Sequence, residues 1–208
     1  MRSTPVNCAL ILPAAGLSSR MRGGDKLLEK VCGQPCLRAM ALRGLTAGLS
    51  VIVTLPSPDH PRALVLAETP VRRVTVADAS EGMSASLRAG IAALPEGTEA
   101  ALILPPDMPD IQSDDLGALV AAAEAQPEAL ILQATTEDGT PGHPILFRSA
   151  LFGEFAHLTG DTGARSILQA HADQTRLVAL PGNRARLDLD TPEAWAEWRA
   201  GQAGASRS

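Results

Sequence analysis

The chain contains no tyrosine, and its two Trp and three Phe bring aromatics to only 2% of 208 residues. Proteins that read single-stranded nucleic acid stack bases on aromatic side chains, so that class is disfavoured. Positive charge is not in excess either: 18 Lys and Arg stand against 23 Asp and Glu, a formal net charge of −5. A nucleic-acid partner is therefore not expected. Cysteine is scarce. Cys8, Cys32 and Cys36 are odd in number and lack C-x-x-C spacing, so they read as reduced thiols, with Cys8 in a core strand, rather than as a disulfide scaffold. His60, His143, His157 and His171 form no H-E-x-x-H-like pattern, which argues against structural zinc. No apolar run approaches the roughly 20 residues of a membrane helix, so no membrane partner is expected. The apolar stretch 8–15 after Arg2 is short and is followed at once by polar and basic residues. It reads as a buried first strand of a cytoplasmic protein, not as a signal peptide. Lysine is the rarest charged residue, with only Lys26 and Lys30, and Lys26 lies inside the most unusual loop of the chain.

What is present is a globular composition, 45% hydrophobic and 20% charged, sufficient for one core at this length. Apolar runs at 8–13, 51–55, 71–77, 100–105 and 129–134 read as strands. They are nearly continuous, as when both faces of a sheet are covered. Helical patterns at 37–49, 61–67, 84–94 and 113–125 fall between them. This alternation predicts an α/β fold built on a mostly parallel, doubly wound sheet. Beyond residue 135 come a strand at 144–147, helices at 149–157 and 163–172, a strand at 176–180 and a helix at 192–199. They read as an elaboration of the same domain. One domain is expected over 1–200, with 201–208 a fraying tail.

Open parallel sheets bind ligands beyond the carboxyl ends of their strands, and three segments at such ends carry chemistry. The first is LPAAGLSSRMRGGDKLL, 12–28. It is neither G-x-G-x-x-G nor G-x-x-x-x-G-K-[ST], because only Gly16 lies in the turn and Asp25 separates Gly24 from Lys26. Ala14, Ala15 and Gly16 let backbone approach a ligand. Arg20 and Lys26 can meet phosphates, one as a fork and the other as a compact charge. A Gly-rich surface loop with solvated charges is the alternative. The second is LILPPDMPDI, 102–111, where Asp107 is a natural magnesium ligand. Capping the next helix is its alternative, but Asp110, Ser113 and Asp114 are better placed for that. The third is LDLDTPEAW, 187–195, whose Asp188 and Asp190 alternate with Leu and so point to one face. Thr191 and Pro192 then open a helix.

Three further segments complete the pattern. In SEGMSASLRAGI, 80–91, Ser84 reads as a helix N-cap. GTPGHPILF, 139–147, precedes LTGDTGARSIL, 158–168. There a helix starting near Gly163 would offer N–H groups to an anion beside Arg165, or Asp161 or Thr162 would cap it with Arg165 at the surface.

Together these segments resemble the nucleotidyltransferases that activate sugars and cofactors with NTPs. In that superfamily the first loop runs L-A-A/G-G-x-S-x-R-M, a short glycine stretch, then Lys and Leu. The match departs at Arg22, where Gly commonly follows Met. Segment 102–111 is similar to the family's Gly-Asp-Met-Pro, with Pro106 in place of Gly, and 187–195 to its Asp-x-Asp-Thr-Pro-Glu. Gly-His-Pro before an apolar strand, and the Gly-Asp-x-Gly-Ala-Arg segment, resemble one branch of the MobA-like NTP transferases, the molybdenum cofactor cytidylyltransferases. The Pro-Ala-Ala-Gly opening agrees with that branch, since the related guanylyltransferases favour Leu-Ala-Gly-Gly. The resemblance runs from about residue 8 to 197.

It implies a Rossmann-like nucleotidyltransferase fold with a C-terminal acceptor-binding elaboration. The implied reaction couples CTP to molybdopterin phosphate, giving molybdopterin cytosine dinucleotide and pyrophosphate, with Mg2+ as cofactor. Arg20, Lys26 and Asp107 would be catalytic. Leu12, Pro13, Ala14, Ala15, Gly16, Arg20, Lys26, Gly82 and Ser86 would bind the nucleotide. His143, Asp161, Gly163 and Arg165 would face the acceptor, with a buried structural role equally open for His143. Asp107 would hold metal with Asp190, which is favoured, or Asp188. A recipient molybdoenzyme or its chaperone is an implied partner. The alternatives are guanylyl transfer to the same cofactor, a sugar-1-phosphate nucleotidyltransferase, and a non-catalytic nucleotide- or cofactor-binding protein.

Overall fold

The computed structural model describes residues 6–205, with side chains to residue 202; Arg2 and 206–208 lie outside the described residues. All six residues of strand β1 (Cys8–Pro13) are buried, Cys8 included, which is why its apolar run is unbroken. A two-stranded hairpin follows, β2 (Lys30–Val31) with β3 (Gln34–Pro35). Then come α1 (Cys36–Thr46), β4 (Ser50–Leu55), α2 (Pro61–Leu64), β5 (Arg72–Thr75), α3 (Met83–Ala92) and β6 (Ala100–Ile103). The second half holds α4 (Ser113–Ala125), β7 (Ile131–Thr135), β8 (Pro141–Arg148), α5 (Phe152–Phe155), α6 (Arg165–Ala170), β9 (Thr175–Ala179) and α7 (Pro192–Ala205). Helix α7 continues to Ala205, so the tail expected from Gly201 is helical at its start. No helix among the described residues is long and apolar enough to cross a membrane.

The strands form one seven-stranded sheet in the order β5-β4-β1-β6-β8-β7-β9. Only β8 runs against the others, pairing antiparallel with β6 and β7. The single-domain α/β architecture with a mostly parallel sheet is thus as the alternation predicts. The chain leaves β1 at the centre of the sheet, with β4 on one side and β6 on the other. That is the switch point at which a crevice opens beyond the strand ends.

Alternate residues of each strand feed two helical layers. Leu10, Leu12, Leu102 and Leu146 face Leu37, Met40, Leu116, Leu119 and Trp195 of α1, α4 and α7. Ile103, Ile145 and Phe147 face Leu87, Phe155 and Ile167 on the other side. Phe147 and Phe155 meet edge to face at 5.2 Å, an arrangement aromatic quadrupoles favour. Two helix glycines bring the layers close. A Cβ on Gly44 would lie 2.5 Å from Leu10 Cδ2, and one on Gly90 would lie 2.7 Å from Ile11 Cγ2. The Gly44 Cβ would also lie 2.9 Å from Val51 Cγ2, and the β-branched Val51 and Ile11 are both stiff. Gly90→Ala is therefore expected to lower the melting temperature by roughly 2–8 °C. An unchanged calorimetric melt would show that this contact does not set the layer spacing.

Candidate active site

Three segments far apart in sequence are tied together by backbone bonds at the carboxyl ends of β1 and β6. Leu189 N donates to Asp107 O at 3.0 Å, so the second and third chemical segments lie directly against one another. Leu189 itself is buried in the core, and its flanking aspartates turn outward on one face, as their alternation with Leu requires. Trp195 of α7 is fully buried and donates Nε1–H to Leu189 O at 3.0 Å. Thr191 Oγ1 caps α7 by accepting from Ala194 N. On the other flank, Arg43 of α1 donates to Pro109 O and Ile111 O at 2.6 Å each. The buried Cys36 thiol donates to Pro106 O at 3.0 Å. The loop carrying Asp107 is therefore held on one flank by two side chains of α1 and on the other by the Leu189 backbone, which Trp195 of α7 holds in turn.

Lys26 reaches into this junction. Its Nζ lies 2.5 Å from Asp107 Oδ2 and 2.6 Å from Asp190 Oδ1. Arg20 Nη1 lies 2.7 Å from Asp190 Oδ2. Burial alone would lower the Lys26 pKa, but the charges and hydrogen bonds of Asp107 and Asp190 raise it above the usual lysine value. Burial, then the like charges of Asp107 and Asp190, push Asp188 up. Asp190 is also penalised by burial, yet hydrogen bonding and charge from Lys26, with Arg20, bring it below the ordinary carboxylate range. The pair thus splits, with Asp190 the readily ionised member. Asp107 is buried, and its Oδ1 has no hydrogen-bond partner among the described residues.

Two clefts meet at these charges. One, of about 430 Å³, is lined by Pro13, Gly16, Arg20, Gly82, Ser86 and Asp107 among others. The other, of about 880 Å³, is lined by His143, Gly163, Arg165, Asp188 and further residues. Arg20, Lys26, Asp107, Asp161 and Asp190 belong to both walls. The residues expected to face nucleotide and those expected to face acceptor therefore occupy adjoining compartments with a shared charged seam. Leu12, Ala14 and Ala15 differ: their side chains are buried in the core, leaving only their backbone to serve a ligand. His143 lines the larger cleft while donating its backbone N–H to Ala185 O. Burial lowers its pKa, opposed by the charge of Asp107.

Several local expectations are corrected. Ser84 does not cap α3; its Oγ is buried without a partner, and Asp161 Oδ1 instead accepts from Met83 N at 3.0 Å. The segment 158–163 therefore docks on the start of α3, where Ser84 N also donates to Gly160 O. Gly82 has φ +97°, and a Cβ there would stand 2.7 Å from Asp161 Oδ1. Neither Asp161 nor Thr162 caps α6, which begins at Arg165 and has only six residues. Such a short helix supplies little N-terminal field, leaving the Arg165 side chain as what the helix start brings to the larger cleft. The α4 cap is Gln112 in a reciprocal box with Asp115, while Asp110 accepts from Trp198 Nε1 at 2.8 Å. Arg22 sits at φ +50°, a backbone region that favours glycine. This accounts for the glycine common at that place in the resembling family. Its guanidinium pairs with Glu193 of α7.

Two arginines of the clefts were not singled out from the sequence. Arg186 lines the larger cleft and donates to Pro141 O at 3.2 Å. It stands two residues before Asp188, and only that position could have flagged it. Arg62, in α2, lines the smaller cleft; its single turn of helix carries no motif.

A family model described as the MobA-like NTP transferase domain matches residues 9–175. A bifunctional GlmU protein of Mycolicibacterium vanbaalenii is 29% identical over 151 residues, covering 69% of this chain but only 31% of that protein. The chain thus spans less than a third of that relative. The crystal structure of Rv0371c from Mycobacterium tuberculosis superposes with a TM-score of 0.80 at 26% identity, covering 94% of this chain and 98% of that one. Rv0371c in complex with manganese gives a TM-score of 0.76 at 24% identity, with 92% and 97% covered; at that identity the likeness speaks for the fold.

Proposed function

Because the chain belongs to the MobA-like NTP transferase domain family, we propose that it transfers a cytidylyl group from CTP to the phosphate of a molybdopterin-type acceptor. The products are the cytosine dinucleotide cofactor and pyrophosphate. The observation that carries this reading is the seam itself. Lys26, Arg20, Asp107 and Asp190 stand where a nucleotide-sized cleft of about 430 Å³ opens into a larger one. The Gly-His-Pro and Gly-Ala-Arg segments supply His143 and Arg165 to the larger cleft, which supports a molybdopterin-type acceptor there. The reaction belongs in the cytoplasm, where reduced Cys8, Cys32 and Cys36 are at home.

A divalent metal fits the residues present. The donors are hard carboxylate oxygens, and Asp107 Oδ1 is buried and unpaired. Among the described residues no group of three or more His, Cys, Asp or Glu forms a cage. An ion bound through one or two carboxylates plus the substrate's own phosphates needs none, and magnesium is commonly held in that way. Asp107 and Asp190, the readily ionised member of its pair, would hold Mg2+, with Asp188 the alternative to Asp190. When bound, the ion supplies charge neutralisation at phosphoryl oxygens.

The protein's own groups do the rest. Lys26 and Arg20 bind the triphosphate and keep the leaving pyrophosphate charge-balanced. The acceptor phosphate has a second pKa of about 6 and is largely a dianion at neutral pH. One of its oxygens forms the new bond to the α-phosphorus, while the α–β bridging oxygen departs with the bond's electron pair in pyrophosphate. No proton leaves the nucleophile, so no general base is required, and positioning with charge neutralisation carries the rate. His143, neutral at pH 7 because burial lowers its pKa, orients the acceptor by hydrogen bonding rather than by charge.

The test is pyrophosphate release by purified protein with Mg2+, molybdopterin and either CTP or GTP. Release with CTP alone is expected. Release with GTP alone would retain the site and overturn the base assignment. Silence with both nucleotides would refute the transferase reading for this acceptor.

A further inference from the structure

The smaller cleft has a third cation, beside Arg20 and Lys26, that the proposed chemistry does not use. Arg62 is 2% exposed, and all five of its guanidinium N–H donors are spent on one loop. Nε and Nη2 grip both oxygens of Asp25, at 2.7 and 2.9 Å. Nη1 donates to Ala14 O at 2.7 Å and to Gly16 O at 2.6 Å. Nη2 also donates to Ser18 Oγ at 2.8 Å. These partners lie at both feet of the loop, between the end of β1 and the turn that carries Lys26.

The consequences for a ligand follow from peptide geometry. In a trans peptide the C=O and the next N–H point in opposite directions. Drawing the Gly16 carbonyl toward Arg62 therefore turns the Leu17 N–H away from it. Gly16, Leu17 and Ser18 all line the smaller cleft. Ser18 is held at φ +49°, a conformation that costs a non-glycine residue energy unless its surroundings enforce it. Its hydroxyl is gripped by Arg62 and donates to Asp25 Oδ1 at 3.3 Å. Asp25 Oδ1 also accepts from Leu27 N at 3.0 Å, which fixes the turn on which Lys26 stands. The carboxylate would be raised by burial, but the Arg62 hydrogen bonds and charge bring it below its ordinary value, so it stays ionised and paired.

We propose that Arg62 is a positioning residue that holds loop 14–27 from inside in the shape that binds the triphosphate. This rests on the reading of the smaller cleft as the nucleotide site. Arg62 acts through Ala14, Gly16, Ser18 and Asp25. A lysine in its place keeps the charge but has three donors and no planar fork, so charge alone does not restore the strap.

Arg62→Lys and Asp25→Asn are compared with wild type by two readouts, on the full chain. One is trypsin cleavage after Arg20 and Arg22, both mostly exposed, without nucleotide. The other is steady-state KM for CTP and for the acceptor. Both variants are expected to be cut in this loop about tenfold faster and to raise the CTP KM about tenfold or more, the scale of losing charge-assisted hydrogen bonds. The acceptor KM should stay within about twofold, and the double variant should be no worse than the worse single. Guanidinium added to Arg62→Ala should lower the CTP KM again. A purely packing role would lower the melting temperature while leaving the CTP KM of the folded fraction unchanged, and that result overturns the proposal. Wild-type cleavage in both variants overturns the strap itself. If wild-type protein binds no nucleotide, the reading of the cleft fails, while the cleavage arm still decides whether Arg62 shapes the loop.

Discussion

Lys26→Ala and Asp107→Ala are each expected to lower pyrophosphate release by about a hundredfold or more, the scale of removing one preorganised charge from a transition state. Among the described residues, Lys26 is the one side chain hydrogen-bonded to both Asp107 and Asp190, at 2.5 and 2.6 Å. Without it the triphosphate loses a compact cation, and two carboxylates lose the charge that separates them. Asp107 lies in the loop just beyond buried β6 with one oxygen already unpaired, so its removal costs the fold little while deleting the carboxylate that accepts from Lys26. Circular dichroism and melting should report folded protein in both cases. Because the two residues act as a unit, the double variant should fall little below the worse single. Near-normal turnover in either single variant, measured with saturating nucleotide and acceptor, would refute the assignment of this junction as the reacting centre.

Gly142→Ala is expected to separate stability from chemistry in a different way. A Cβ at this position would stand 1.9 Å from Ala185 O and 2.7 Å from its carbonyl carbon. These are backbone atoms that cannot rotate aside, and His143 N also donates to that oxygen at 2.8 Å. The segment that begins at Ala185 must therefore move off β8, carrying Arg186, Asp188 and Asp190 with it. The stability cost is expected to be roughly 1–3 kcal/mol. A displacement of about 1 Å at the carboxylates should lower turnover by about a hundredfold. Nucleotide binding by the opposite wall should survive, because Gly16, Arg62 and Ser86 are not attached to this segment. Gly117→Ala is the control: nothing lies within 4 Å of its Cβ in α4, and the helix should gain about 0.5–1 kcal/mol. If Gly142→Ala keeps full turnover, the contact with Ala185 does not place the aspartates. The glycine of the Gly-His-Pro segment thus has a packing reason that sequence reading did not supply.

Much of the fold was legible because it is encoded locally. The run 8–13 and the helical pattern 113–125 coincide with β1 and α4, since burial on both faces, or on one stripe, writes itself into residue order. The bounds of β5, α2 and α6 were overestimated. Single backbone bonds persist past those ends, Val76 N to Leu55 O, Ala67 N to Leu64 O and His171 N to Ile167 O, but no regular helix or strand continues through them. The hairpin of β2 and β3 has two residues per strand, too few for any period to show. Caps were misassigned at α3 and α4 because the partner came from segment 158–163 in one case and from three residues inside the helix in the other.

The sequence by itself determined the chemistry available at the strand ends: a lone lysine in a Gly-rich loop, an aspartate between prolines, and two aspartates alternating with leucine. Residue type, period and turn chemistry are properties of neighbours, so a sequence states them openly. Only the tertiary structure decided that β8 enters the sheet reversed, between β6 and β7. It alone brought Lys26 to carboxylates 81 and 164 positions away. Arg62 and Gly142 likewise acquire their meaning from partners that chain order does not reveal. Such contacts are made by the closing of two helical layers on a shared sheet, and no local pattern carries their distances.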